Sequence, residues 1–211
     1  MSQKKGSQLF DFIAPVYGLF YERQKKYFKL IIERAAIEFK LTDYETVIDI
    51  GCGTGALCSV LNTKGLSVTG IDPASKMLKI AQNKPENTAI KFIKGNPLEG
   101  LPFEHKAFDI AITSYVAHGL MPLERKAMYA EMSRLAKHWV IVYDYNDKRS
   151  ITTDFIEWLE GGDYFNFIKS AHTEMKNCMH EMQNCFSEVH VLQVDEKAAW
   201  YLCKPKQDTL I

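Results

Sequence analysis

Residues 47–55 read V-I-D-I-G-C-G-T-G, and no other stretch limits the possible folds as sharply. A short apolar, β-branched run containing a single acid passes straight into glycines and then into the helical stretch Ala56 to Asn62. Strand, glycine turn and helix in that order open a βαβ unit, and so a parallel sheet covered by helices on both faces. Gly51, Gly53 and Gly55 let the chain turn sharply and let a ligand reach main-chain N–H groups with no Cβ in the way. The spacing alone, G-x-G-x-x-[GA] through Gly51, Gly53 and Ala56, also fits a dinucleotide site.

Two acids narrow the ligand. Asp49 stands two residues before the first glycine in an otherwise apolar strand end, where a carboxylate without a partner is costly to bury. It would repel a pyrophosphate and favour a ligand carrying an ammonium group. Asp72 closes the next strand about 20 residues after Gly51, the position from which a carboxylate accepts hydrogen bonds from ribose hydroxyls. The expected ligand therefore joins a ribose to a cationic end.

Period-two and helical patterns alternate through the middle of the chain. They predict strands at 45–50, 66–71, 89–94, 108–114 and 138–144, with helices at Ala56 to Asn62, Ala74 to Lys84 and Leu123 to Ala136. Pro122 sits at the first turn of the last helix, where a missing N–H costs nothing. Beyond Tyr145 the pattern predicts a helix at 152–160, a break at Gly161 and Gly162, and a long helix to about 186. The tail, V-H-V-L-Q-V, D-E-K, A-A-W-Y-L-C, reads as an antiparallel hairpin at one sheet edge. A single domain is expected, with a helical cap over 1–40, a ligand-binding core over 41–145, a helical lid over 146–187 and the hairpin over 188–211.

V-I-D-I-G-C-G-T-G (47–55), V-T-G-I-D (68–72), G-N-P-L-E-G-L-P-F (95–103) and F-D-I-A-I-T-S (108–114) together resemble the class I S-adenosylmethionine-dependent methyltransferases. Within them, the small-molecule branch that includes the ubiquinone and menaquinone biosynthesis enzymes is the nearest in kind. F-D-F-I-A-P-V-Y (10–17) is similar to the segment that closes over the cofactor in that branch. The resemblance implies a Rossmann-like, mostly parallel seven-stranded sheet with the last strand antiparallel, and S-adenosylmethionine as cofactor. It implies a cofactor site built from Asp49, Gly51, Gly53, Gly55, Asp72, Pro73, Asn96, Pro97 and Ser114. Asn96 replaces the acid usual after Gly95, and Pro97 has no N–H to offer an adenine nitrogen. The Asn96 amide carries both acceptor and donors, and so can serve the adenine amine and the adjacent ring nitrogen together. Gly18 follows Tyr17 where relatives often carry Asp.

Candidate bases follow from sheet polarity, because ligands of open α/β sheets bind at the carboxyl ends of the strands. His118 follows the fourth strand and Asp144 ends the fifth, so both lie at that end, whereas His105 and His138 precede strands and read as structural. Tyr17, in the closing segment, is the third candidate. Met175, Cys178, Met179, Met182 and Phe186 recur at helical spacing and read as a core stripe. Asp154, Glu157, Glu160 and Asp163 read as a solvated face, and the aromatics around Gly161 and Gly162 as lid or acceptor pocket. No histidine pair has metal-ligand spacing, and no metal is expected.

Charge excludes some partners. Lys plus Arg and Asp plus Glu each number 26, so the phosphate-neutralising surplus that dominates nucleic-acid affinity is missing. T-S-Y-V after the fourth strand also differs from the (D/N)-P-P-(Y/F) of exocyclic base methylation. The longest runs without charge, Ile50 to Thr63 and Ile110 to Leu123, fall short of the ~20 residues of a spanning helix. Five cysteines with no C-x-x-C pair suit free thiols in the cytoplasm. The expected partners are a small-molecule methyl acceptor and, as assembly, a second copy of the chain. Two alternatives share the loop: a non-catalytic S-adenosylmethionine-binding sensor or partner subunit, and a nicotinamide dehydrogenase, against which Asp49 argues.

Overall fold

Val47, Ile48 and Ile50 are completely buried at the centre of a seven-stranded sheet, in a computed structural model that describes residues 3–146, 177–196 and 198–206. The central strand, β1 (Thr46–Ile50), lies parallel between β2 (Ser67–Asp72) and β4 (Phe108–Ser114). β3 (Lys91–Lys94) forms one edge and β5 (Ala136–Tyr145) continues the other half. The hairpin strands β6 (Glu188–Gln193) and β7 (Ala198–Lys204) complete the order β3-β2-β1-β4-β5-β7-β6, with β7 antiparallel to both neighbours. The chain steps outward through β1, β2 and β3 and then returns to the far side of β1, so the direction of winding reverses between β1 and β4. In open α/β sheets such a reversal is where ligands bind, at the carboxyl ends of the strands.

Helices cover both faces. α1 (Gln3–Leu19) packs Ile13 and Ala14 against Ala74 and Met77 at the start of α4 (Ser75–Gln82). α2 (Tyr21–Ala35) and α3 (Ala56–Thr63) bury Ile31, Ile32, Cys58 and Leu61 against Val47, Ile110 and Ile112 on one face of the sheet. On the other face, α5 (Pro122–Leu135) sets Met128 and Met132 against Ile48, Ala111 and Val142. Residues 177–185 form a helix, α6, whose Cys178 and Met182 join that second cluster with Phe186. The expected core stripe is thus present from Cys178 onward. Met175, the helix at 152–160, the Gly161–Gly162 break, the four acids at 154–163 and the aromatics beside them lie outside the described residues.

Expected strand and helix boundaries agree with the structure to within two residues. α5 begins at Pro122, and Glu124 accepts a hydrogen bond from the Met121 N–H just ahead of it. β5 starts two residues early because Ala136 pairs with Phe108 across an irregularity in the β4 register. No helix among the described residues is long and apolar enough to cross a membrane.

Candidate active site at the carboxyl ends of the strands

The glycine loop is fastened from beneath. The N–H groups of Gly51 and Cys52 both donate to Ile71 O, at 2.8 and 2.9 Å, which pins the loop to the end of β2. Gly51 has φ +77°, and a Cβ there would lie 2.5 Å from Val116 Cγ2, so both conformation and space demand glycine. Gly53 differs: at φ +52° its Cβ position faces nothing within 4 Å. That side of the backbone is open, with room for a ligand to approach the main chain.

Asp72 faces the loop. Its Oδ2 accepts from the Gly53 N–H at 2.8 Å and its Oδ1 from the Ala74 N–H at 2.8 Å, skipping Pro73, which has no N–H. Burial pushes its carboxyl up to about 6 despite those two donors. A carboxylate offers about four acceptor positions, so capacity remains for ribose hydroxyls. The open backbone at Gly53 and this spare capacity together fit an adenosyl ligand. Asp11 of α1 caps α4 from outside, accepting from Lys76 N–H at 2.7 Å.

Asp49 stands under the loop rather than on its open side. It is completely buried, its Oδ2 accepts from the Cys58 thiol at 3.1 Å, and its Oδ1 has no partner. Burial, reinforced by the charge of Asp72, pushes its carboxyl up to about 7. The unpartnered Oδ1 leaves Asp49 an acceptor to offer at the strand end beneath the glycine loop.

Asn96 follows β3 and sits beside the second acid, because Gly95 N–H donates to Asp72 O at 3.2 Å. Its Oδ1 accepts from Leu98 N–H at 3.1 Å and its Nδ2 donates to Glu99 Oε1 at 3.0 Å. Each end of the amide is thus engaged once within its own turn, and one N–H and one carbonyl lone pair of its full capacity lie beyond these two bonds. Pro97 is half-buried in the same turn, and Ser114 is half-buried at the end of β4, paired with Tyr143.

Two candidate bases prove to be one unit. His118 Nδ1 lies 2.9 Å from Asp144 Oδ1, and the His118 N–H donates to Asp144 Oδ2 at 3.1 Å. Tyr145 N–H also donates to Oδ1, at 2.9 Å, so the buried carboxylate is held on three sides. With Asp144 ionised, the imidazole proton rests on Nδ1 and the lone pair on Nε2, the tautomer a general base needs. The Tyr145 ring packs edge-on against the imidazole at 4.9 Å. Tyr17 lies elsewhere: it packs with Phe10 and the Ala74–Met77 cluster of α1 and α4.

Two further features surround this pair. Buried Arg125 donates to both carboxylate oxygens of Glu181, at 2.7 and 3.1 Å, and to Leu120 O at 2.7 Å, tying α5 and α6 to the loop after His118. Tyr115 directly follows Ser114 with φ +54°, a conformation a bulky residue rarely adopts. Neither was visible in the sequence, because no local pattern links residues so far apart.

Sheet order, reversal point, glycine loop and Asp72 are arranged as a nucleoside-type cofactor site requires, and the His118–Asp144 pair lies at the same end of the sheet. A family profile for "Methyltransferase domain" matches residues 47–138. The chain is 28% identical over 211 residues to an uncharacterized protein of Methanocaldococcus jannaschii, covering 96% of this chain and 73% of that one. It is 32% identical over 148 residues to the demethylmenaquinone methyltransferase of Thermotoga maritima, covering 64% and 58%. Among solved structures, a protein of Methanococcus maripaludis described as an S-adenosyl-L-methionine-dependent methyltransferase superposes with TM-score 0.67 at 19% identity, covering 99% and 95%, a likeness of fold. Residues 47–138 thus carry a methyltransferase domain, and the fold is that of the S-adenosylmethionine-dependent methyltransferases. A methyltransferase domain over the glycine loop argues against the dehydrogenase reading.

Proposed function

We propose that the chain methylates a small molecule that gives up a proton in the reaction, and that His118, oriented by Asp144, takes that proton. The bound cofactor supplies a methyl group already activated on a sulfonium centre. What remains for the protein is to align the acceptor and to receive a proton where one must leave. Gly51, Gly53 and Gly55 form the floor of the cofactor cradle, and Asp72, beside Pro73, takes the ribose. Asn96 and Pro97 flank the adenine, Ser114 lines the methionine side, and Tyr17 closes the cradle from α1. Asp49 supports the loop from below.

The His118–Asp144 geometry carries this reading: a buried carboxylate fixes the imidazole at the carboxyl ends of β4 and β5, where ligands of such sheets bind. A small acceptor is supported by the balanced charge of the chain and by its similarity to a quinone methyltransferase. We further place the protein in the cytoplasm, in keeping with its five free thiols.

The test is formation of S-adenosylhomocysteine from S-adenosylmethionine with 1,4-naphthohydroquinones and catechols as probes. His118→Gln is expected to slow turnover about 100-fold or more, the usual contribution of a positioned base. Equal turnover in His118→Gln and wild type would remove His118 as the base. Turnover with oligonucleotides and none with the small probes would overturn the acceptor class.

A further inference from the structure

Behind the acid–base pair lies a chain of phenols, buried at Tyr143 and half-buried at Tyr27 and Tyr115, that the proposed reaction does not use. Tyr115 Oη donates to Tyr143 Oη at 3.1 Å, and Tyr143 Oη donates to Tyr27 Oη at 3.0 Å. Tyr27 Oη in turn donates to Asp195 Oδ2. Tyr27 and Tyr115 also approach each other directly, at 3.4 Å. Three hydroxyl protons thus run one way, from the end of β4 through β5 and α2 to a carboxylate in the turn between β6 and β7. Arg34 of α2 fixes that turn, donating to Val194 O at 3.1 Å and lying 3.6 Å from Asp195.

The chain begins at a strained residue. Tyr115 is one of only two non-glycine residues with positive φ among those described, and its N–H is held by Tyr143 O at 2.8 Å. Such a conformation persists only where the surroundings over-determine it. Its ring lies 4.9 Å from that of Tyr143 and 5.3 Å from that of Tyr145, and Tyr145 in turn packs on His118. Two residues separate Tyr115 from His118, and Asp144 lies between Tyr143 and Tyr145 on β5. Every route from the phenols to the imidazole is therefore short and made of packed groups.

We infer that Tyr115 is a positioning residue for the His118–Asp144 pair, held in its left-handed turn by the phenol chain through Tyr143 and Tyr27 to Asp195. The chain fastens the cap helix α2 and the β6–β7 turn to the loop that presents His118. Loss of one hydroxyl leaves the fold intact but frees the Tyr115 turn, and with it the Tyr145 ring and the imidazole. This inference rests on the proposed role of His118, yet the two fail separately.

Long-range 1H–15N NMR on the full chain reads the imidazole tautomers directly, with the His118 signals identified among six histidines by their loss in His118→Gln. Wild type should show the Nδ1–H tautomer almost alone. Tyr115→Phe and, independently, Tyr27→Phe should each raise the Nε2–H fraction several-fold, with an altered His118 titration. His118 resonances and titration that match wild type in both variants would overturn the inference. If the tautomer shifts while His118→Gln retains full methyl transfer, the positioning stands and the base role falls. Should Tyr115→Phe not fold, Tyr27→Phe, farther from the strained turn, supplies the same reading.

Discussion

Asp72 has the most direct consequence of any single side chain in the site. Its carboxylate already accepts two backbone N–H groups and has capacity for ribose hydroxyls, so Asp72→Ala should weaken S-adenosylhomocysteine binding by about 1.5–3 kcal/mol, the range for hydrogen bonds to a charged group. Titration calorimetry checks this, and unchanged affinity would remove Asp72 from the site. Asp49 gives a pH signature. Its folded pKa, about 7, lies above the carboxylate value of 3.8 through burial, so the folded state holds its proton longer than the unfolded chain does. Stability from this group is complete below about pH 4, declines as pH rises toward 7, and stays low above it. Asp72, raised to about 6, adds a decline in the same direction over a narrower window. Asp49→Asn should flatten the loss between pH 4 and 7 in thermal unfolding of the ligand-free protein. An unchanged pH profile would mean that Asp49 ionises freely in the folded state. The glycines and both acids were legible in the sequence because their chemistry is written in adjacent residues. The union of His118 with Asp144 was not, since it depends on two strands lying side by side. The left-handed Tyr115 was also hidden, because nothing local favours that conformation for tyrosine.

Among the elements, apolar period predicted strands and helices well where a face is buried. Among the described residues it departs from the structure only at ends, where hydrogen bonds decide. β3 begins at Lys91, two residues later than the pattern suggests, because Ile90 N–H closes a turn onto Asn87 O. The tail divides by pattern as well. A-A-W-Y-L-C is apolar without interruption and becomes β7, buried along its length between β5 and β6. V-H-V-L-Q-V alternates and becomes the edge strand β6, with four of its six residues exposed. The tie between α5 and α6 could not be read from sequence, since Arg125 and Glu181 are far apart in the chain. Arg125 is buried, and removing one partner of such a pair leaves the other carboxylate and Leu120 O without donors. Arg125→Leu should therefore cost about 3 kcal/mol or more. Hydrogen exchange should show protection lost first at 117–121 and 177–185. Uniform protection across both segments would show that this contact does not hold the His118 loop.

For the whole molecule, alternation of strands and helices predicted a doubly covered parallel sheet, but strand order is a property of the assembled chain. The order observed puts the reversal of winding between β1 and β4, and this brings together the glycine loop, Asp72 and the His118 loop. In the proposed reaction the cofactor lies over Gly53 and Asp72 and the acceptor against His118 and Asp144. A crystal structure of the full chain with S-adenosylhomocysteine tests that division most directly. Ribose hydroxyls are expected within hydrogen-bond distance of Asp72, adenine beside Asn96, and the sulfur turned toward His118 across an open acceptor space. A ribose bound away from Asp72, or a sulfur facing away from the His118–Asp144 pair, would contradict that division.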